Sequence, residues 1–262
     1  WQIKNQTITA PAKTDYGIEV APVYGKSLLE IKGKLAIDSK PDIWNLAIVA
    51  PANYFLESLR IMLFNQGITF KQGLVVDRDP VKNSFLESIE RQAQEKEIAA
   101  IESPILADLI KKTNQESNNL YAESLLKIIG IQANNSNEFK ILKDNLTKLG
   151  VDPANYVLID GSGLSRQNLV SPIAIVQTLQ QMTKTPEAKI YRQSLPVAGV
   201  SGTLKNRFKN TLVQGKLQAK TGTITGTSSL SGYLQLSNYQ PLVFSIIIDK
   251  SDESNQVLRQ AI

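Results

Sequence analysis

The sequence predicts an α/β chain of the α+β kind, with helices packed on an antiparallel sheet and a further β-rich portion at its start. Three observations lead there. Residues 1–50 are rich in Ile, Val, Thr and Lys and are punctuated by Pro11, Gly17, Pro22, Gly25 and Gly33, which reads as short strands and turns. Between Ser103 and Met182, apolar residues recur at helical spacing. From Lys216 onward, stretches alternate or run apolar over strand lengths between Gly, Ser and Asn, the pattern of successive antiparallel strands.

The elements follow in order. Ala52 to Gly67 carries Phe55, Leu56, Leu59, Ile61, Met62 and Leu63 at helical spacing, and Gly67 reads as its C-terminal cap. Ile68 to Val76 reads as a strand, and the charged stretch Asp77 to Glu102 as a crossing between domains. Ser103-Pro104 predicts a capped helix start, with Ile105, Leu106, Leu109 and Ile110 as its apolar face. Thr113–Glu116 is expected to break that helix. A second is expected from Asn118 to Ile129, stopped by Gly130, and a third from Ser136 to Leu149, followed by Gly150. Tyr156 to Ile159 reads as a short buried strand, and Ser171-Pro172 opens a helix to Met182. Lys216–Lys220, Ser229–Leu236 and Leu242–Asp249 read as strands, and Ser254 to Ile262 as the start of an unfinished helix.

Composition narrows the chemistry. A hydrophobic content of 42% with 20% charged residues is that of an ordinary globular protein. With no Cys and no His there are no disulfides, no thiol nucleophile, no Cys/His zinc site and no Ser-His-Asp triad. Covalent chemistry is left to Ser, Thr, Lys, Tyr and carboxylates, which favours a Ser-Lys pair. The net charge of +5 arises from 29 basic and 24 acidic residues scattered along the chain. That is a mixed solvated surface rather than a nucleic-acid-binding one. No apolar run reaches the roughly 18–20 residues of a membrane span. The chain opens on Trp1, so its N-terminal part is expected to have been removed or to lie outside it.

Two motifs carry the chemistry. Lys220-Thr221-Gly222 follows an alternating strand. A strand edge there can pair with an extended peptide, and the missing side chain at Gly222 lets it approach. Ser117-Asn118-Asn119 falls between two expected helices, where a hydroxyl can relay a proton and an amide can hold a substrate carbonyl. Each motif alone also suits a surface turn or a helix cap.

Together with their surroundings they resemble a family. Lys112–Glu123 (KTNQESNNLYAE), Leu158–Asn168 (LIDGSGLSRQN), Ser194–Leu204 (SLPVAGVSGTL) and Lys220–Thr223 (KTGT) are similar, in order and spacing, to the serine-type D-alanyl-D-alanine carboxypeptidases and endopeptidases of the class C low-molecular-mass penicillin-binding proteins. Ala50–Gly73 is similar as well. The resemblance implies a transpeptidase-like catalytic domain over residues 81–262 and the remainder of an inserted β-rich domain over residues 1–80. It implies that Ser117 passes a proton to the leaving group, that Asn119 orients the substrate amide, and that Lys220 tunes the relay and attracts the terminal carboxylate. Thr221 and Thr223 would bind that carboxylate beside Gly222, the Thr223 N–H would serve the oxyanion hole, and Asp160, Gly161, Ser162 and Gly163 would frame the site. The implied partners are peptidoglycan stem peptides ending in D-Ala-D-Ala and β-lactams, outside the cytoplasm at the bacterial cell wall, with no metal, cofactor, nucleic acid or membrane span.

One part of the pattern is missing. Among all lysines, only Lys127 has a Ser three residues earlier, Ser124. That Ser falls inside the second expected helix, roughly 10 Å beyond Ser117 at 1.5 Å per residue, too far to share a reacting atom with it. The nucleophile is therefore expected upstream of Trp1, and the chain alone is expected to be inactive. A β-lactamase of the class A kind would need a Glu-x-x-Leu-Asn run, which is absent. A non-catalytic peptidoglycan-binding module is the alternative from another class.

Overall fold

A computed structural model describes residues 2–15, 17–26, 28–41, 46, 48, 50–69, 100–134 and 137–262. The chain divides into two compact units, Trp1–Ile98 and Ala99–Ile262. The expected strand Ile68–Val76 and nearly all of the expected crossing Asp77–Glu102 lie outside the described residues, as does the expected domain boundary at residue 80.

In the first unit, β1 (Gln2–Ala10), β2 (Gly17–Pro22) and β3 (Leu28–Ala36) form a sheet in the order β1-β3-β2. β1 runs parallel to β3 and β2 antiparallel to it. Lys4 and Glu30 are directly paired across the sheet and form an ion pair at 2.9 Å, with Lys32 adding a second at 2.7 Å. Helix α1 (Pro51–Asn65) begins at a proline, whose fixed φ suits a first turn. It ends as expected at Gly67: that residue's N–H returns to Phe64 (2.9 Å) and the Ile68 N–H to Leu63 (3.0 Å), closing the last turn through a residue at φ 80°.

The second unit carries the candidate site. Helix α2 (Leu106–Glu116) starts two residues later than the Ser103-Pro104 pair predicts. The Ser103 hydroxyl donates to the Pro104 carbonyl (3.1 Å) and does not cap the helix, and extended Ile105 is its N-cap. Thr113–Glu116 does not break it. The Thr113 hydroxyl bonds back to the Leu109 carbonyl (2.7 Å), which satisfies the polar side chain inside the helix. The break comes at Ser117, in the left-handed conformation (φ 55°, ψ 49°). Helix α3 (Asn119–Gln132) then starts from Asn118, whose side chain accepts the Tyr121 N–H (3.0 Å). It runs through Gly130, which is buried within it, because a glycine with helical dihedrals weakens a packed helix without ending it.

Helix α4 (Glu138–Lys148) follows. Tyr156 is buried, but the strand there is only β4 (Tyr156–Val157), paired with β5 (Leu169–Val170). Val157 and Ile159 are about half exposed, so this is a surface pairing and not the expected buried strand. Ser171 caps helix α5 (Pro172–Met182) as predicted, accepting the Ala174 N–H. Helix α6 (Ala188–Ser194) has no counterpart in the sequence-based expectation. Strands β6 (Leu217–Ile224), β7 (Thr227–Leu234) and β8 (Leu242–Ile248) form the expected antiparallel sheet in that order. Helix α7 (Asn255–Gln260) is capped by Ser254.

Both faces of this sheet are covered. On one, Leu217, Ala219 and Leu230 pack with Ala198 and Leu204, with Phe208 and Ile262 at the margin. On the other, Tyr233 packs with Leu179 and Leu195, and its hydroxyl donates to the Leu179 carbonyl (2.8 Å). Strand β7 thus reaches both cores, Leu230 on one face and Tyr233 on the other, and that alternation fixes its register.

Candidate active site

The site grows from the segment between α6 and β6. Along it, the Ala219 N–H donates to Pro196 (2.9 Å) and the Ala198 N–H to Leu217 (3.0 Å). These groups of β6 therefore point away from β7. Backbone directions alternate along a strand, so the N–H and C=O of Thr221 and Thr223 point from the same edge. The bridging segment leaves β6 before it reaches them, so this edge can accept an extended peptide. Gly222 sits between. A Cβ there would fall 2.4 Å from Ser229 Oγ, so any side chain would press on β7.

The same segment fixes α2. The Gln115 side chain donates to the carbonyls of Ser194 (3.2 Å) and Leu195 (2.7 Å), and Asn114 donates to Ser194 Oγ (2.7 Å). Ser117 follows directly at the left-handed turn. Its hydroxyl accepts a hydrogen bond from Lys220 Nζ at 2.7 Å, across 103 residues of sequence, and Nζ also donates to the Thr221 carbonyl (2.6 Å). Burial pushes the Lys220 ammonium below its ordinary range, so it gives up a proton more readily than a surface lysine. Thr221 Oγ1 donates to Thr203 Oγ1 (2.8 Å), which a single helical turn, Gly202–Leu204, presents to it.

Ser117, Thr203, Thr221 and Thr223 line a cavity of about 400 Å³ together with Arg207 and Arg259. Arg207 and Arg259 were not anticipated from the sequence. Arg207 lies just past the Ser194–Leu204 run, and Arg259 stands in a helix with no motif to mark it. Asn119 is exposed at the first position of α3, and its side chain makes no hydrogen bond among the described residues. It does not line the cavity.

The Asp160–Gly163 loop does not line the cavity either; it is bound to α3. The Glu123 carboxylate accepts the N–H groups of Gly161 (3.0 Å) and Ser162 (2.9 Å). A Cβ at Gly161 would lie 3.0 Å from the Ala122 carbonyl, so the loop backbone rests directly on the helix. Asp160 closes the loop by accepting from Gly163 N–H, Ser165 N–H and the Asn168 side chain. Its partial burial alone would raise the carboxyl pKa, yet the bonds from Asn168, Ser165 and Gly163 outweigh it and hold the group below its ordinary range. Arg166 then ties the loop to the β6–β7 turn at the Thr225 carbonyl (2.8 Å). Glu123 was not singled out in the sequence.

Ser124 is exposed on α3, and Lys127 forms an ion pair with Glu138 of α4. In the one Ser-x-x-Lys of this chain the lysine is therefore engaged with α4.

A lysine on a Lys-Thr-Gly strand reaching the serine of a helix-junction Ser-Asn-Asn is the arrangement of serine acyl-transfer proteins of the penicillin-recognising class. The whole chain, residues 1–262, matches the D-Ala-D-Ala carboxypeptidase 3 (S13) family, and it belongs to that family. It is 32% identical over 256 residues to a D-alanyl-D-alanine carboxypeptidase of Actinomadura sp. (strain R39), covering 94% of this chain and 46% of that protein. It is 28% identical over 230 residues to the D-alanyl-D-alanine carboxypeptidase DacB of Haemophilus influenzae, covering 85% of this chain and 45% of that one. The crystal structure of penicillin binding protein 4 from H. influenzae superposes with a TM-score of 0.75 at 25% identity, over 97% of this chain and 55% of the other. The chain spans about half the length of the curated relatives it matches.

Proposed function

We propose that the protein carrying this chain is a serine D-alanyl-D-alanine carboxypeptidase with endopeptidase capacity, acting outside the cytoplasm on peptidoglycan stem peptides and acylated by β-lactams. The observation that carries this reading is the 2.7 Å contact between Lys220 Nζ and Ser117 Oγ beside a free strand edge. Family membership and the named activities of the relatives support it.

In this mechanism residues 81–262 belong to the catalytic domain, and residues 1–80 to a β-rich domain inserted in it. The nucleophile is a serine on a Ser-x-x-Lys helix outside these 262 residues. It attacks the carbonyl of the penultimate D-Ala as its proton passes to the lysine of its own motif, and the oxyanion is received by the outward N–H of Thr223, a type of contact commonly worth about 3 kcal/mol. Ser117 passes a proton to the departing amine, and Lys220 replenishes it. A buried lysine with a depressed pKa suits that step. Asn119, exposed at the start of α3, meets the substrate amide. Water then releases the acyl group. The Asp160–Gly163 loop holds α3 in place for this and takes no chemical part. No metal or cofactor enters any step.

Release of free D-Ala from a diacyl peptide ending in D-Ala-D-Ala, by the intact gene product, tests the reading. Release by the wild type that disappears in Ser117→Ala supports it. Release unaffected by that change contradicts it.

A further inference from the structure

The positive charge facing the cavity is not that of Lys220. Its ammonium is held between Ser117 Oγ and the Thr221 carbonyl, and the side chains lining the cavity are four hydroxyls and two guanidiniums, Arg207 and Arg259. No carboxylate lines it, and neither arginine has an ion-pair partner among the described residues. Two like charges beside one polar cavity with no counter-ion form an anion site by their chemistry.

Arg259 is placed by packing rather than by chance. Leu258 beside it is 3% exposed, Ser254 caps the helix, and Ile262 packs against the core of Leu204 and Ala219. That core also sets Thr203 and Thr221. Arg207 braces the turn from below: it donates to the Arg259 carbonyl (3.0 Å) and stacks over the Phe208 ring at 4.9 Å. Burial, and then the neighbouring Arg259 charge, make the Arg207 guanidinium less comfortable as a cation, which an incoming anion would relieve.

We propose that Arg259, positioned by Arg207, selects the substrate's free C-terminal carboxylate, which the Thr221 and Thr223 hydroxyls then orient, leaving Lys220 to serve Ser117. This rests on the carboxypeptidase reading above. A planar guanidinium can grip a carboxylate through two parallel hydrogen bonds and has no such grip on an ester or amide. The division of labour separates the charge that recognises substrate from the ammonium that moves protons.

The test compares a penicillin carrying its free carboxylate with the methyl ester of the same penicillin, as acylation rates of the intact gene product. A peptide ending in D-Ala-D-Ala is compared in parallel with its C-terminal amide. The wild type is expected to prefer the free acids. Arg259→Gln should cut that preference at least about tenfold while acylation by the ester stays at the wild-type rate, a shift of roughly 1.4 kcal/mol. On the peptide the loss should fall on KM more than on kcat, and Arg259→Lys should restore part of it. An Arg259→Gln protein that keeps the wild-type acid-to-ester ratio overturns the proposal. So does one that loses both reactions equally, because that marks a structural role. A wild type that forms no adduct with either compound overturns the carboxypeptidase reading itself, and this inference with it.

Discussion

The side-chain oxygen of Gln115 stands where a Cβ on Gly202 would have to go. An ideal Cβ there would lie 2.6 Å from Gln115 Oε1 and 2.8 Å from the Gln115 backbone carbonyl. Gly202 also has φ +57°, which an L side chain adopts at a cost. The turn bearing Thr203 and the last turn of the helix bearing Ser117 are thus in backbone contact. Gly202→Ala is expected to destabilise the fold by about 2–4 kcal/mol, combining strain and overpacking, and to abolish acylation. Urea unfolding and penicillin labelling measure the two effects.

Gly222→Ala should behave differently. Its Cβ would meet the Ser229 hydroxyl at 2.4 Å, a single side-chain atom that can rotate away, and its φ lies outside the left-handed region. Stability should fall by about 1–2 kcal/mol, within the range of mild overpacking. Acylation should fall much further, on the order of a hundredfold, because the methyl group stands on the strand that receives the substrate. Stopped-flow acylation alongside thermal melting separates these quantities.

Lys220 predicts a pH signature. Burial lowers its pKa from 10.5, so the folded state sheds that proton at lower pH than the unfolded chain does. Between the folded value and 10.5 the unfolded state binds more protons, and stability contributed by this group rises with pH. Activity runs the other way: acylation should decline as pH rises through the folded pKa. In Lys220→Arg the guanidinium holds its proton, so acylation should be slowed and its alkaline decline should vanish, whereas Lys220→Ala should lose about 10²–10⁴-fold at every pH. A pH–rate profile of the three proteins checks this.

Asp160 predicts a stability effect of the same sign at the acid end. Its folded pKa lies below 3.8, so its stabilisation is complete above 3.8 and is lost as pH falls through the folded value. Asp160→Asn should cost about 1–3 kcal/mol at neutral pH, since a charged acceptor of several hydrogen bonds is replaced by a neutral one. The gap from wild type should close as pH drops below 3.8. Chemical denaturation across that range measures it.

The strands around the site were legible because burial alternates with sequence. Leu217 and Ala219 face one core while Gln218 and Lys220 face the other side, so the period of two is written in residue type. Ser171 was legible as a cap, and the start of α3 to within one residue of its cap Asn118, because both side chains have local N–H partners. Ser103 misled because a hydroxyl before proline found a nearer acceptor, and Gly130 because its burial depends on distant residues. Lys220 and Ser117 were paired through a resemblance, not through any local pattern. Arg259 was invisible for the same reason: only the packing of Leu258 and Ile262 brings it to the cavity.

Ser124 offers a control inside the chain. It is exposed, and Lys127 is engaged with Glu138, so Ser124→Ala is expected to leave acylation of the intact gene product unchanged. The most direct measurement is intact mass spectrometry, with peptide mapping, of the gene product and of this 262-residue chain after incubation with penicillin. We expect one penicilloyl adduct on the intact product, at a serine outside these residues, abolished or slowed by Lys220→Ala and absent from the isolated chain. An adduct on Ser124, or no adduct on the intact product, would contradict the assignment of Ser117 and Lys220 to a serine acyl-transfer site.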